Sequence, residues 1–146
     1  MMNDDFADLR NTFTNRLAPG ARLDFGPGWR MLLSVTLHWL DGCTVDFSDD
    51  VPKFQEVDVR GVLMMGKEKY GCLVIRIDHH PDLYDEVEEF RERVRKLSLS
   101  ICEECGRKGR LRFSWHRVKT YCDDHAYLAE PIDPERDGKI LDVFDE

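Results

Sequence analysis

No apolar run in this chain is long enough to cross a bilayer. The longest, Met31 to Leu40, is interrupted by Ser34, Thr36 and His38, whereas a spanning helix needs about 20 apolar residues. The first ten residues, MMNDDFADLR, are acidic and lack an apolar h-region, so no signal peptide is expected. Also missing are a phosphate-cradling glycine loop, a nucleophile elbow and an HExxH pair. The expectation is therefore a protein that is not an enzyme. Basic residues are in deficit, 21 Lys and Arg against 29 Asp and Glu. The resulting net charge of −8 repels nucleic acid and anionic membrane from the molecule as a whole. A length of 146 residues allows one modest core and excludes two large domains.

Cysteine is scarce, and its count of five is odd. Three of the five fall in the stretch from Ile101 to Leu128, ICEECGRKGRLRFSWHRVKTYCDDHAYL. Cys102-x2-Cys105 and Cys122-x2-His125 are two ligand pairs with sixteen residues between them. Each pair can grip one tetrahedral ion from nearby backbone positions, and the intervening segment can run out and back as a hairpin. This spacing points to one structural zinc ion held by Cys102, Cys105, Cys122 and His125. Four protein ligands leave no open position for water, so the metal is structural rather than catalytic. A redox CxxC pair is the alternative, and the matching CxxH favours zinc. His116, in the middle of the hairpin, is the rival fourth ligand. Cys43 and Cys72 remain as free thiols, with a mutual disulfide as the alternative; free thiols beside a thiolate zinc site fit a reducing cytoplasm.

Along the chain, Phe6, Leu9, Phe13 and Leu17 recur at helical spacing and predict a helix over residues 3–17, capped by Asn3 or Asp4 and stopped at Ala18-Pro19-Gly20. Residues 21–28 read as a connection whose Gly26-Pro27-Gly28 turn launches a largely buried helix from Trp29 to Leu40, ended by Asp41-Gly42. Residues 43–54 read as an acidic loop. A strand is predicted from Gln55 to Met65, then a glycine-flanked loop from Gly66 to Gly71, then an alternating strand from Cys72 to Asp78. The two strands read as an antiparallel hairpin. Pro81 suits the first turn of a helix marked by Leu83, Val87, Phe90, Val94 and Leu97. The expected fold class is α+β: helices packed on a small antiparallel hairpin or sheet, with a carboxy-terminal treble-clef-like zinc module. In that division residues 1–100 form the core, 101–130 the zinc module continuing the same domain, and 131–146 an acidic tail. A knuckle at Cys105-Gly106, strands around Leu111–Phe113 and Val118–Tyr121, and a helix opening at Asp123-Asp124 favour a treble clef over a zinc ribbon.

Charge within the module is uneven. Arg107, Lys108, Arg110, Arg112, Arg117 and Lys119 fall between the ligand pairs with no acid among them, and Phe113 and Trp115 stand beside them. Such a hairpin suits phosphate contacts and base stacking, or a protein partner with an acidic groove, since arginine and tryptophan dominate interface hot spots. Lys67 and Lys69 at the tip of the first hairpin are a second candidate contact point. Asp78-His79-His80 offers a carboxylate and two imidazoles, but adjacent histidines point apart, so no second metal or acid/base site is expected. The tail from Glu130 carries Ile140, Leu141, Val143 and Phe144 among aspartates, and reads as disordered with partial docking.

Four segments, GPGW (26–29), KEKYG (67–71), CEECGRKGRLR (102–112) and TYCDDHA (120–126), resemble motifs that occur in the same order in a group of small bacterial and phage-borne zinc-finger proteins. The resemblance covers about residues 26–128. It implies a zinc site at Cys102, Cys105, Cys122 and His125 and the cytoplasm of a bacterium or infected cell, and it raises the interest of the KEKYG loop. Two departures, Cys72-Leu73-Val74-Ile75 in place of a more basic strand and the long acidic tail, weaken any implied nucleic-acid binding. The function expected is a zinc-stabilised binding protein acting on a protein partner, of the inhibitor, immunity or phage anti-defence type. A nucleic-acid-binding regulator using the basic hairpin is the alternative, and no membrane partner is expected.

Overall fold

The structure, a computed structural model, describes residues 4–47, 49–55, 58–113 and 118–129. The fold is α+β: helices packed on a small mixed sheet, with a metal-ligand cluster near the end of the described chain. Its centre is helix α2 (Arg30–Leu40), entered through a 3-10 turn at Pro27–Trp29. Leu32, Leu33, Val35, Leu37 and Leu40 are all at most 1% exposed, as expected of a helix apolar on nearly every side. Thr36 is also buried there because its hydroxyl donates to the Leu32 carbonyl at 2.7 Å. Gly42, at φ 96°, reverses the chain after the helix.

The first helix is shorter than its apolar spacing predicts. Helix α1 covers only Ala7–Thr12, although Phe6, Leu9, Phe13 and Leu17 are all buried. Asn11, Thr12, Thr14 and Asn15 are poor helix formers, and the Thr12 hydroxyl turns back to the Asp8 carbonyl. The residues expected to form a stop and a connection instead form strand β1 (Leu17–Asp24). It runs parallel to β4 (Val62–Lys69), which pairs antiparallel with β5 (Cys72–Asp78), giving the order β1-β4-β5. The predicted hairpin is thus present as β4–β5, but a parallel third strand makes the sheet mixed. Strand β4 starts at Val62 rather than near Gln55 and runs through Lys69, so the expected six-residue loop shrinks to a turn at Tyr70-Gly71. Both turn residues have positive φ, 53° and 84°, the twist that lets a two-residue connection join antiparallel strands.

The predicted acidic loop is a second hairpin. Strands β2 (Cys43–Asp46) and β3 (Asp49–Gln55) pair antiparallel and pack against α2. Cys43, Val45 and Phe47, at alternate positions, are buried or packed against the core, which the acidic composition of the segment does not reveal. Helix α3 (Tyr84–Ser98) buries Val87, Phe90 and Val94 as their spacing predicts. The Phe90 ring stacks on Trp39 at 3.9 Å. Helix α3 also seals the outer edge of β5: Arg91 Nε donates to the Ile75 carbonyl, and the Ser98 hydroxyl accepts from Leu73 N–H. The chain then forms the short hairpin β6 (Arg110–Phe113) and β7 (Val118–Tyr121), and the helix predicted to open at Asp123-Asp124 is a 3-10 helix at Asp123–Leu128.

Candidate metal centre

Two turns build the ligand cluster. Gly106, at φ 82°, lets the chain double back so that its N–H donates to the Cys102 carbonyl at 2.9 Å. This knuckle aims the amides of Glu104 and Cys105 at the Cys102 sulfur. The second pair sits at the start of the 3-10 helix, where His125 N–H donates to the Cys122 carbonyl. Hairpin β6–β7 closes the loop between them. The three Sγ atoms and a ring nitrogen of His125 all lie within 4.8 Å of one another. Cys105 Sγ is 3.6 Å from Cys122 Sγ, and His125 Nδ1 is 3.6 Å from Cys102 Sγ and 3.2 Å from Cys122 Sγ. A tetrahedral zinc ion with Zn–S of about 2.3 Å and Zn–N of about 2.0 Å has ligand–ligand edges of roughly 3.5–3.8 Å. The residues fit a metal ion of that size. All five cysteines are free thiols, Cys43 and Cys72 included.

The electrostatics favour thiolate. Arg107 donates from Nε to Cys105 Sγ, which together with the Arg107 amide brings this thiol down to about 6. For Cys122 burial acts upward, but hydrogen bonds from the side chain and amide of His125 carry it below its usual value. Its bond to Cys122 in turn raises His125. Burial pushes the Cys102 thiol up, and the surrounding amides only partly offset this. Metal binding must displace protons from whichever ligands still hold them. Arg107→Ala therefore lets the Cys105 thiol rise toward its ordinary value, so that it is protonated at pH 7 before zinc arrives. The expected result is more protons released per zinc at pH 7 than in the unaltered protein, and affinity that falls more steeply as pH drops. Calorimetry in buffers of different ionisation enthalpy measures this directly.

The cluster is keyed into the body by the other motifs. Gly28 N–H donates to the Glu103 carbonyl at 2.6 Å, Gly26 N–H to Glu103 Oε2 at 3.0 Å, and Trp29 Nε1 to the Ile101 carbonyl at 2.8 Å. Glu103 is only 5% exposed, and its other carboxylate oxygen meets Lys119 Nζ at 3.3 Å. Lys119 also binds Glu68 Oε1 at 2.9 Å, and Glu68 Oε2 accepts Gly71 N–H. The Thr120 hydroxyl donates to the Gly71 carbonyl at 2.6 Å. Burial pushes the Glu103 carboxyl upward against the pull of Lys119, while the two glutamates hold the lysine charged despite its burial. GPGW, KEKYG and the two ligand segments thus meet in one polar network. Lys119→Met leaves two largely buried carboxylates sharing no cation. Removing one partner of a buried pair costs about 3–5 kcal/mol; partial solvent access to this one lowers the expectation to about 2–3 kcal/mol, read from denaturant midpoints.

The other predicted contact residues are divided. Arg107 also pairs with Asp124 at 2.9 Å. Arg112 is turned inward, donating to the Tyr121 carbonyl and to Asp123. Lys108 and Arg110 are exposed and, with Arg112, Cys122 and Asp123, line a hollow of about 340 Å³ beside the cluster. Lys67 and Lys69 are exposed on β4. Trp115, Arg117, the rival ligand His116 and the acidic tail lie outside the described residues. His79 and His80 are engaged locally, His80 accepting from Asp82 N–H. Spacing does not single out Glu103, and it places Lys119 and Glu68 only among surface contact candidates, because nothing in it distinguishes a buried acid–base chain from surface charge. No family model matches this chain, and neither a curated protein nor a solved structure matches it.

Proposed function

We propose that this chain is a non-catalytic binding protein, stabilised by one structural zinc ion in a treble-clef-like module, that acts through a protein partner. The carrying observation is the ligand set. Three thiols and one imidazole converge on a single point and would complete a tetrahedral shell, leaving no position for water or substrate. Knuckle, hairpin and a helical turn bearing the second ligand pair follow the order of a treble clef, with a 3-10 turn in place of the α-helix. If the resemblance of its four motifs to small bacterial and phage-borne zinc-finger proteins holds, the setting is a bacterial or infected-cell cytoplasm, and the role there is of the inhibitor or immunity type. Net charge favours a protein over a polyphosphate partner. So does the inward engagement of Arg112, which leaves fewer of the hairpin cations for phosphate.

Tagged, zinc-loaded protein passed through host lysate, with and without nuclease, is the test. A protein retained after nuclease treatment, in amounts close to the bait, is the expected result. The hollow lined by Lys108 and Arg110 favours a second reading, a nucleic-acid-binding regulator that also uses Trp115 and Arg117. It requires binding that weakens with salt at a log–log slope of about −0.9 per phosphate neutralised. Retention of nucleic acid alone, with that slope and its loss in Lys108→Glu/Arg110→Glu, would replace the first reading by the second.

A further inference from the structure

The three-stranded sheet has two unlike faces. Leu17, Leu63, Leu73, Ile75 and Ile77 point into the core. On the opposite face Arg22, Lys67 and Arg76 are all exposed, a patch of positive charge on an otherwise acidic molecule. Pairing register sets Arg22 beside Met65 and Met65 beside Arg76, one row across all three strands, and Lys67 lies on the same face one step along β4. Between Leu17 and Arg22, β1 has four residues where β4 has one, Met64, between Leu63 and Met65. The extra chain arches outward over Pro19 and Gly20, and its rim, with Met64, Met65, Lys67 and Arg76, encloses an open groove of about 580 Å³. Arg22 pairs with Asp24 at 3.1 Å. Among the described residues neither Lys67 nor Arg76 makes an ion pair.

We infer that this groove docks an extended acidic segment of a protein partner, with acidic and apolar residues alternating. This rests on the protein-binding reading above and names the surface and the chemistry it takes. Three cations against one acid give charge complementarity to carboxylates, and arginine can hold a carboxylate through two parallel hydrogen bonds. In the row Arg22–Met65–Arg76 a cation stands on either side of an apolar side chain, roughly 10 Å apart across two inter-strand steps. In an extended segment residues i and i+2 share a face about 7 Å apart, so a segment alternating acidic and apolar residues turns its carboxylates together toward these cations. Met64 and Met65 supply a pliable floor between the cations for the aliphatic stems of those acidic side chains. No aromatic ring lines the groove among the described residues, so it lacks the stacking platform that single-stranded nucleic acid uses.

The test uses the zinc-loaded full chain and fluorescence anisotropy of a labelled peptide repeating Glu-Leu, with a labelled oligothymidylate of equal length as the rival anion. The peptide is expected to bind saturably and more tightly than the oligonucleotide. Lys67→Glu/Arg76→Glu is expected to weaken it by about tenfold or more at constant zinc content and melting temperature. Arg76→Ala, a neutral change at an exposed site, gives a smaller loss in the same direction and serves if the double variant folds poorly. Equal peptide affinity in the folded variants, or tighter oligonucleotide binding lost in those variants, overturns the inference. The lysate partner separates this from the broader reading. A protein captured equally well by the double variant removes the groove and leaves the binding-protein reading standing. Peptide binding lost in the variants, with no protein captured by the unaltered chain, keeps the groove and removes that reading.

Discussion

Removing the metal, by chelation or by Cys102→Ser, is expected to unfold residues 101–129 while much of the core around α2 persists. The reason lies in how little else holds that segment. Its own buried cluster contains Cys102, Tyr121, Cys122 and Ala129, two of them in the candidate ligand set, and beside it only Leu111 and Val118 are buried apolar side chains among the described residues of this segment. Fixing a residue's backbone costs about 1–2 kcal/mol, and a cluster of this size cannot offset that cost over so long a stretch. Structural zinc contributes on the order of 10 kcal/mol in isolated fingers. The larger core, from Phe6 through Val94, is separate and apolar. Hydrogen exchange should therefore show protection lost throughout 101–129, weakened at Gly26–Trp29 and Glu68–Gly71, where the network attaches, and retained in α2 and β5. Simultaneous loss of protection everywhere would mean that module and core form one cooperative unit.

Gly28→Ala is expected to be nearly as damaging without touching a ligand. A Cβ at Gly28 would lie 2.0 Å from the Cys102 carbonyl oxygen and 2.6 Å from that of Glu103. Both are backbone atoms of the knuckle, so no rotamer change relieves the overlap. Either the GPGW saddle or the knuckle must move, and the 2.6 Å bond from Gly28 N–H to Glu103 breaks with it. A loss of about 4 kcal/mol or more, at the extreme of single substitutions, and a measurable drop in zinc affinity are expected. Gly20→Ala is the control. It has nothing within 4 Å of its Cβ, and its φ of 72° leaves only left-handed strain, about 1–2 kcal/mol. Melting curves and competition with a chromophoric zinc chelator read both effects. Equal behaviour of the two variants would mean that the saddle is not what seats the metal module.

Sequence spacing was most informative where one short-range rule dominates. The ligand quartet is legible because CxxC and CxxH each act within one turn, and the stripe of α3 because Val87, Phe90 and Val94 repeat at helical period. The saturation of α2 with apolar residues likewise marks it as central. Strand β1 was not legible, because Ala18-Pro19-Gly20 is turn chemistry by any local rule and its partner β4 is remote in sequence. The pairing β2–β3 was hidden by the acids Asp46, Asp49 and Asp50, which outnumber the apolar residues around its turn although Cys43, Val45 and Phe47 are buried or packed against the core. Glu103 was unreadable for a different reason. Its burial depends on Gly26, Gly28, Lys119 and Thr120 arriving from two separate segments. A charged residue inside a CxxC pair looks like solvent-facing spacer until those segments are assembled.

The most direct single measurement is zinc K-edge X-ray absorption on protein purified without added metal and then loaded with one equivalent. A shell of three sulfurs at about 2.3 Å and one nitrogen at about 2.0–2.1 Å, lost in Cys102→Ser, is the expected spectrum. A shell containing water or carboxylate oxygen, or one unchanged by that substitution, would contradict a closed structural centre at Cys102, Cys105, Cys122 and His125.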